Sequence, residues 1–532
     1  MYSLLSLLAS AICITSTFAQ NSTSGLLVST QQGDVQGTQV NPSARQFLGI
    51  PYATAARWTA PKSPAKRNET LIADHFGDSC IQQNSPANLA FVNLTSGEAP
   101  NVTESEDCLS VNIWVPSTSR KQKTAVMIWI YGGGFNFGTS NTPTYDGQHI
   151  VQDNDDVSVV SFNYRLNIFG QPNAPQLANS TTDSQNFGLL DINAAVKWVY
   201  DNIASFGGDP ERITLFGQSA GGTAIDAYTF SHLNDTMVKG VIEHSGSISG
   251  GNFAQLVTGI DTQTWNNISN LVGCSSGKWL IQFKYTLQLT ECITVPDDVQ
   301  FECMKQVPAR TLEEFVTSTN AAFNIVPDNI TIFSNTDQRA KSGNFLKIPL
   351  LVGSTANDGD ILAVIGMLLS PLGFAPPLVT ELAADTLTEL SFTCPTNITA
   401  QNRLDAGVPT WRYQYQGVFR DISTRPDLRA YHASELPLIF GTLNPNSPTT
   451  EELALSKYMQ SAWVAFARDP QKGLSNFGWP NYDPATQSLV QLGNFYNRSS
   501  ATFGSSAEID IACSRVEILA NISAQVNSLL AP

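Results

Sequence analysis

The pentapeptide Gly217-Gln218-Ser219-Ala220-Gly221 sets a serine midway between two glycines. It follows the β-branched run Ile213-Thr-Leu-Phe216 and precedes Gly222-Thr-Ala-Ile-Asp-Ala-Tyr-Thr, a stretch compatible with a helix. A serine on a sharp strand-to-helix turn projects its hydroxyl above a sheet, and side chains two residues to either side would collide with neighbouring backbone. The chemistry on offer is nucleophilic attack on an acyl carbon. At ordinary Gly and Ser frequencies the pattern arises by chance about 0.2 times in a chain of this length, so its flanks carry part of the argument.

A serine hydroxyl needs a base, and on such a turn the partners follow the chain order serine, acid, histidine. The histidines are His75, His149, His232, His244 and His432. His232 and His244 lie no more than 25 residues beyond Ser219, where the chain is still leaving the turn. His432 alone leaves room for an acid-bearing loop. The best placed acid is Asp358, on Gly353-Ser-Thr-Ala-Asn-Asp-Gly359 after the apolar run Ile348-Pro-Leu-Leu-Val352, with Asp360 as the local rival. The oxyanion of an acyl-transfer intermediate needs backbone N–H groups with no side chain in the way, and Tyr131-Gly132-Gly133-Gly134-Phe135 supplies them. No Gly-Lys-Ser/Thr follows those glycines, which argues against phosphate binding.

The elements that must position these residues alternate. Strands are predicted at Ala125–Ile130, Val157–Phe162, Ile213–Phe216, 348–352 and Trp411–Tyr415, with a helix over Ile192–Ile203. Alternating strand and helix implies an α/β fold with a large, mostly parallel sheet covered by helices. The sections 250–345 and 363–400 read as helical and irregular insertions roofing that sheet.

The chain has 532 residues, 42% of them hydrophobic and 14% charged, enough apolar mass for a large core and unlike disordered or fibrous sequences. Its formal charge of −16 repels phosphate backbones. Arg120-Lys121-Gln122-Lys123 is the nearest approach to a basic run, so nucleic-acid binding is not expected. The apolar run Leu4–Ile14, followed by Thr17-Phe18-Ala19, predicts a signal peptide over residues 1–19 and a single catalytic domain over 20–532. No other stretch is long and apolar enough for a membrane span.

With Cys13 in the signal, seven cysteines follow: Cys80, Cys108, Cys274, Cys292, Cys303, Cys394 and Cys513. None has metal-ligand spacing, so disulfides with at least one unpaired thiol are the better reading. Eleven Asn-x-Ser/Thr sequons suit a secreted glycoprotein: Asn21, Asn68, Asn93, Asn101, Asn179, Asn234, Asn267, Asn329, Asn397, Asn497 and Asn521. Retention in the secretory pathway or a vacuole would fit a signal peptide equally.

Eight ordered blocks resemble the type-B carboxylesterase and cholinesterase-like family of α/β-hydrolases. They are Phe47–Ala53, Glu106–Trp114, Tyr131–Phe135, Asn163–Leu166, Asn202–Pro210, the serine turn, His244–Ser247 and His432–Leu436. The resemblance implies the α/β-hydrolase fold, Ser219 as nucleophile, His432 as base then acid, and Asp358, where many relatives carry Glu, as the orienting acid. It further implies oxyanion donors at Gly133, Gly134 and Ala220, and supporting positions at Ser245 and Glu435. The implied disulfides are Cys80–Cys108, Cys274–Cys303 and Cys394–Cys513, leaving Cys292 free unless it replaces Cys303.

The expected activity is hydrolysis of small-molecule or lipid carboxylic esters with no metal or cofactor. Long-chain lipase or sterol-esterase activity, or tailoring of a natural product, are the alternatives, and an inactive neuroligin-like binding module is a distant one. Cholinesterases carry Glu where this chain has Gln218 and a Trp within the first disulfide loop, where Phe91 is the sole aromatic, so choline esters are not expected. Asn167 stands where relatives commonly have Gly. Leu89-Ala-Phe-Val92 in that loop reads either as a small lid or as packing against the disulfide.

Overall fold

The β-branched runs Thr124–Ile130 (TAVMIWI) and Val157–Phe162 (VSVVSF) are buried at every position. That is the pattern of strands covered on both faces, and they pair in parallel. The protein is described here by a computed structural model over residues 25–96, 103–178, 183–249, 262–275, 297–369 and 377–514. The predicted signal peptide and Cys292 lie outside these residues.

The first strands are β1 (Leu27–Thr30), β2 (Gly33–Gln36), β3 (Thr38–Asn41), β4 (Ala44–Pro51), β5 (Leu71–Ile72), β6 (Ser79–Cys80) and β7 (Glu104–Ser105). There follow β8 (Ser110–Pro116), β9 (Thr124–Ile130), β10 (Val157–Phe162), β11 (Gly208–Gln218) and β12 (Val238–His244). The last are β13 (Leu350–Thr355), β14 (Thr410–Tyr415), β15 (Leu489–Asn494) and β16 (Asn497–Gly504). The main sheet has 11 strands in the order β16-β15-β14-β13-β12-β11-β9-β10-β8-β4-β3. From β15 to β10 all neighbours are parallel, whereas β8, β4, β3 and β16 join antiparallel. The sheet is thus mostly parallel, as expected, with the antiparallel pairings confined to its two edges.

Individual boundaries move for local reasons. The strand expected at 348–352 runs over Leu350–Thr355, because Pro349 has no N–H to donate to a ladder. The helix expected at Ile192–Ile203 spans Phe187–Phe206 and stops at Gly207, whose φ of 102° only glycine adopts easily and whose N–H closes onto Ala204 and Ile203 carbonyls. The strand at 213–216 is the inner part of β11, after a register irregularity between Gly208 and Ile213.

The two sections read as helical and irregular carry helices Thr262–Leu271, Asp297–Gln306, Ala309–Ser318 and Thr336–Lys341, then Gly359–Leu368, Pro377–Thr388 and Cys394–Asp405. The first three of these helices build a second apolar cluster in which Trp265 and Phe301 pack on Trp58 at 4.8 and 5.3 Å between ring centroids. Three disulfides tie the insertions down. Cys80–Cys108 closes the loop that carries helix Pro86–Ser96, Cys274–Cys303 ties the turn after helix Thr262–Leu271 to helix Asp297–Gln306, and Cys394–Cys513 spans 119 residues. All three pairings are those the family resemblance implies. No described helix is long and apolar enough to cross a membrane.

Candidate active site

Ser219 sits between β11 and helix Ala220–Ser231 with φ 56° and ψ −123°, a conformation unfavourable for a residue with a Cβ. The backbone is held there from both sides. Its N–H donates to the His244 carbonyl at 2.8 Å. A Cβ on Gly221 would stand 2.0 Å from the Ile130 carbonyl oxygen, and one on Gly217 would stand 2.8 Å from that same oxygen. The two glycines are therefore a packing requirement of the turn, and the half-buried serine is left facing outward.

The parallel strands end at one edge of the sheet, the edge where such folds collect their functional loops. Beyond β13 lies Asp358, fully buried, with Oδ2 accepting from the Thr355 N–H at 2.9 Å and the Ser245 hydroxyl at 3.0 Å. Its Oδ1 is 2.6 Å from His432 Nδ1. Asp360, the rival acid, turns away and binds the Arg429 guanidinium at 2.7 Å and the Arg429 N–H at 2.9 Å. The structure thus brings Asp358, and not Asp360, to the histidine. The His432 ring is 3% exposed and lies between Phe392, at 4.6 Å, and Phe91, at 6.3 Å.

At the far end of the ring, His432 Nε2 is 2.9 Å from the side-chain Nε2 of Gln218. A hydrogen bond to Ser219 is the naive expectation for the base; among the described residues the neighbour of Ser219 takes that place. The glycine segment follows β9 directly. Gly133 has φ 111°, and a Cβ there would lie 2.0 Å from the Phe137 carbonyl, so no other residue fits. The N–H groups of Gly133, Gly134 and Ala220 donate to no protein acceptor among the described residues, which leaves them available to an oxyanion. A cavity of about 260 Å³ opens beside Gly132, Gly133 and Gln218.

The model of the carboxylesterase family matches residues 24–370 and 378–506. The chain belongs to the carboxylesterase family. It is a carboxylic ester hydrolase with the α/β-hydrolase fold. It is 34% identical to Secreted lipase 5 of Gibberella zeae over 85% of this chain and 86% of that one. It is 33% identical to the chlorogenic acid esterase of Aspergillus niger, over 88% of this chain and 90% of that one. Among solved structures, a PNB esterase superposes with a TM-score of 0.72 at 27% identity, covering 91% of this chain and 98% of the other.

Around its site this carboxylesterase buries two further titratable groups, a histidine and a glutamate, that burial holds neutral. His244 is fully buried, and burial holds it down to about 3, so it is a neutral ring. Its Nε2 accepts from the Trp463 indole at 3.1 Å, which puts the ring proton on Nδ1, 3.0 Å from the Tyr413 hydroxyl and 3.6 Å from Glu435. Glu435 is 1% exposed, with neither carboxyl oxygen bonded to protein among the described residues. Burial first, and the nearby Asp358 second, push it up to about 8, so it is a neutral acid at pH 7. Ser245, the other supporting position, holds Asp358 directly.

Two neighbours of the base escape sequence reasoning. Gln218 carried a signal, its place beside the serine, whereas Phe392 lies in an insertion with no motif. Of the sequons, Asn68, Asn93, Asn234, Asn267 and Asn329 are exposed, and Asn497 is half-buried in β16. Asn397 differs: it lies inside helix Cys394–Asp405, with Oδ1 accepting from Arg412 and from the Tyr482 hydroxyl, each at 3.1 Å, while Thr399 of the same sequon is buried. Asn21, Asn101, Asn179 and Asn521 lie outside the described residues.

Proposed function

We propose that this carboxylesterase is exported and cleaves esters through a covalent acyl-serine. The observation that carries the reading is the Asp358–His432 pair at 2.6 Å, reaching the strained turn that presents Ser219. Asp358 fixes the ring proton on Nδ1, leaving the Nε2 lone pair as base. His432 takes the Ser219 proton as Oγ bonds to the ester carbonyl carbon, and the N–H groups of Gly133, Gly134 and Ala220 hold the resulting oxyanion. The bond to the alcohol oxygen then breaks, and that oxygen leaves with the proton from Nε2. Water next gives a proton to Nε2 and its oxygen to the acyl carbon, and Ser219 departs with that proton as the acid is released.

Export is supported by the apolar leader ending at Ala19, the three disulfides, the exposed sequons and the similarity to Secreted lipase 5 of Gibberella zeae. Short or medium acyl chains are the preferred substrates in this reading. A long-chain lipase is the second reading, favoured by that same relative and by Leu89, 40% exposed on the helix beside the cavity. Hydrolysis of p-nitrophenyl esters from acetate to palmitate, with Ser219→Ala alongside, separates them. A serine-dependent maximum at acetate or butyrate supports the first, a maximum at palmitate the second, and turnover independent of Ser219 refutes both.

A further inference from the structure

The amide of Gln218 occupies the atom through which the base must act. With Nδ1 committed to Asp358 at 2.6 Å, the ring proton lies on Nδ1, and Nε2 accepts from the Gln218 amide N–H at 2.9 Å. That lone pair is the one that must take the serine proton, so His432 works only after Gln218 lets go.

The side chain is 3% exposed and has little freedom on its inner side. A Cβ on Gly132 would stand 2.9 Å from Gln218 Oε1 and 2.8 Å from the Ser219 Cβ, so the amide already lies against that backbone. The open direction is the cavity of about 260 Å³ that Gln218 lines together with Leu436 and Pro437, just past His432. The leaving oxygen collects its proton from Nε2 and so must come within hydrogen-bond reach of it. The cavity that begins at Gln218 is therefore placed for the alcohol half of the ester. Its wall carries Gln82, Thr144 and Tyr145 beside apolar residues. A bare alkyl alcohol offers a displaced Gln218 N–H no acceptor, and an unpaired buried donor is costly.

We propose that Gln218 is a positioning residue that holds His432 in check and is released by esters whose alcohol half carries a second oxygen beside the ester oxygen, as in a polyol or a hydroxy acid. This rests on the serine mechanism proposed above.

The test uses butyrate esters of propanol, 2-methoxyethanol and 2-hydroxyethanol with wild type, Gln218→Met, Gln218→Glu and Ser219→Ala. All three esters share one acyl-serine, so deacylation is common to them, and kcat/KM, which reports the steps up to release of the alcohol, reads the alcohol whichever step limits kcat. Comparing ratios between variants cancels the intrinsic reactivity of each ester. Gln218→Met, of equal length and without the amide, is expected to lower the preference for both oxygenated esters over propyl butyrate about fivefold, the worth of one neutral hydrogen bond. Gln218→Glu retains only an acceptor, so it should keep the hydroxyethyl preference and lose the methoxyethyl one. A purely structural role would depress all three esters alike, and unchanged ratios in both variants would overturn the proposal. Failure of the serine mechanism reads differently, as turnover that survives in Ser219→Ala.

Discussion

Replacing Glu435 by glutamine should remove a pH dependence from the stability of the fold. Glu435 is 1% exposed and pushed up to about 8 by burial, against about 4.3 for a glutamate in an unfolded chain. Between those values the folded chain keeps a proton that the unfolded chain has lost. Stability is therefore fully present below the unfolded value and declines as pH rises toward 8. One pKa unit corresponds to about 1.4 kcal/mol, so Glu435 alone should withdraw roughly 2.5 kcal/mol between pH 5 and pH 7. Glutamine resembles the neutral acid in shape and cannot ionise. Urea unfolding of wild type and Glu435→Gln at pH 5, 6 and 7, with disulfides intact, reads the effect as a difference, which cancels every other titrating group. The variant should gain about 2.5 kcal/mol relative to wild type over that range, whatever its offset at pH 5. A difference that stays flat within about 0.5 kcal/mol would mean that Glu435 ionises in the fold as it does in water, and the reasoning from burial would fail.

Asp358→Asn should lower kcat by about 10³- to 10⁴-fold, because the amide cannot hold the required histidine tautomer. Asp360→Asn, which weakens the hold on Arg429 without touching the histidine, should cost less than about tenfold; steady-state kinetics on one nitrophenyl ester compares them, and equal losses would contradict the assignment. Gly221→Ala drives a Cβ to 2.0 Å from the Ile130 carbonyl oxygen, a clash with backbone that should destabilise the fold by about 3 kcal/mol. An unchanged urea midpoint would show that the turn yields more easily than its geometry implies.

What could be read from sequence follows from how locally each feature is specified. The turn at Ser219 is written in five consecutive residues, because its steric demands act within the turn and against one neighbouring strand. His432 follows from chain order. Asp358 and Asp360 stay unresolved until Arg429 is seen to claim the second, a contact across 69 residues. The Gln218–His432 contact spans 214 residues and is set by the return of the chain after β14. Strands β9, β10 and β14 are legible as runs of β-branched and aromatic residues. The antiparallel strands β3 and β16 are only partly buried, so their sequences lack that signature, and β13 begins two residues late because Pro349 cannot enter the ladder.

On the mechanism proposed, Ser219 is the residue acylated in turnover. Treatment with a fluorophosphonate probe, followed by peptide mass analysis and assay on p-nitrophenyl butyrate, tests it most directly. The expected result is one label per chain on Ser219, activity lost in step with labelling, and a folded Ser219→Ala protein that takes no label and hydrolyses the ester at least about 10³-fold more slowly. A label on another residue, or a folded Ser219→Ala protein with wild-type turnover, would contradict it.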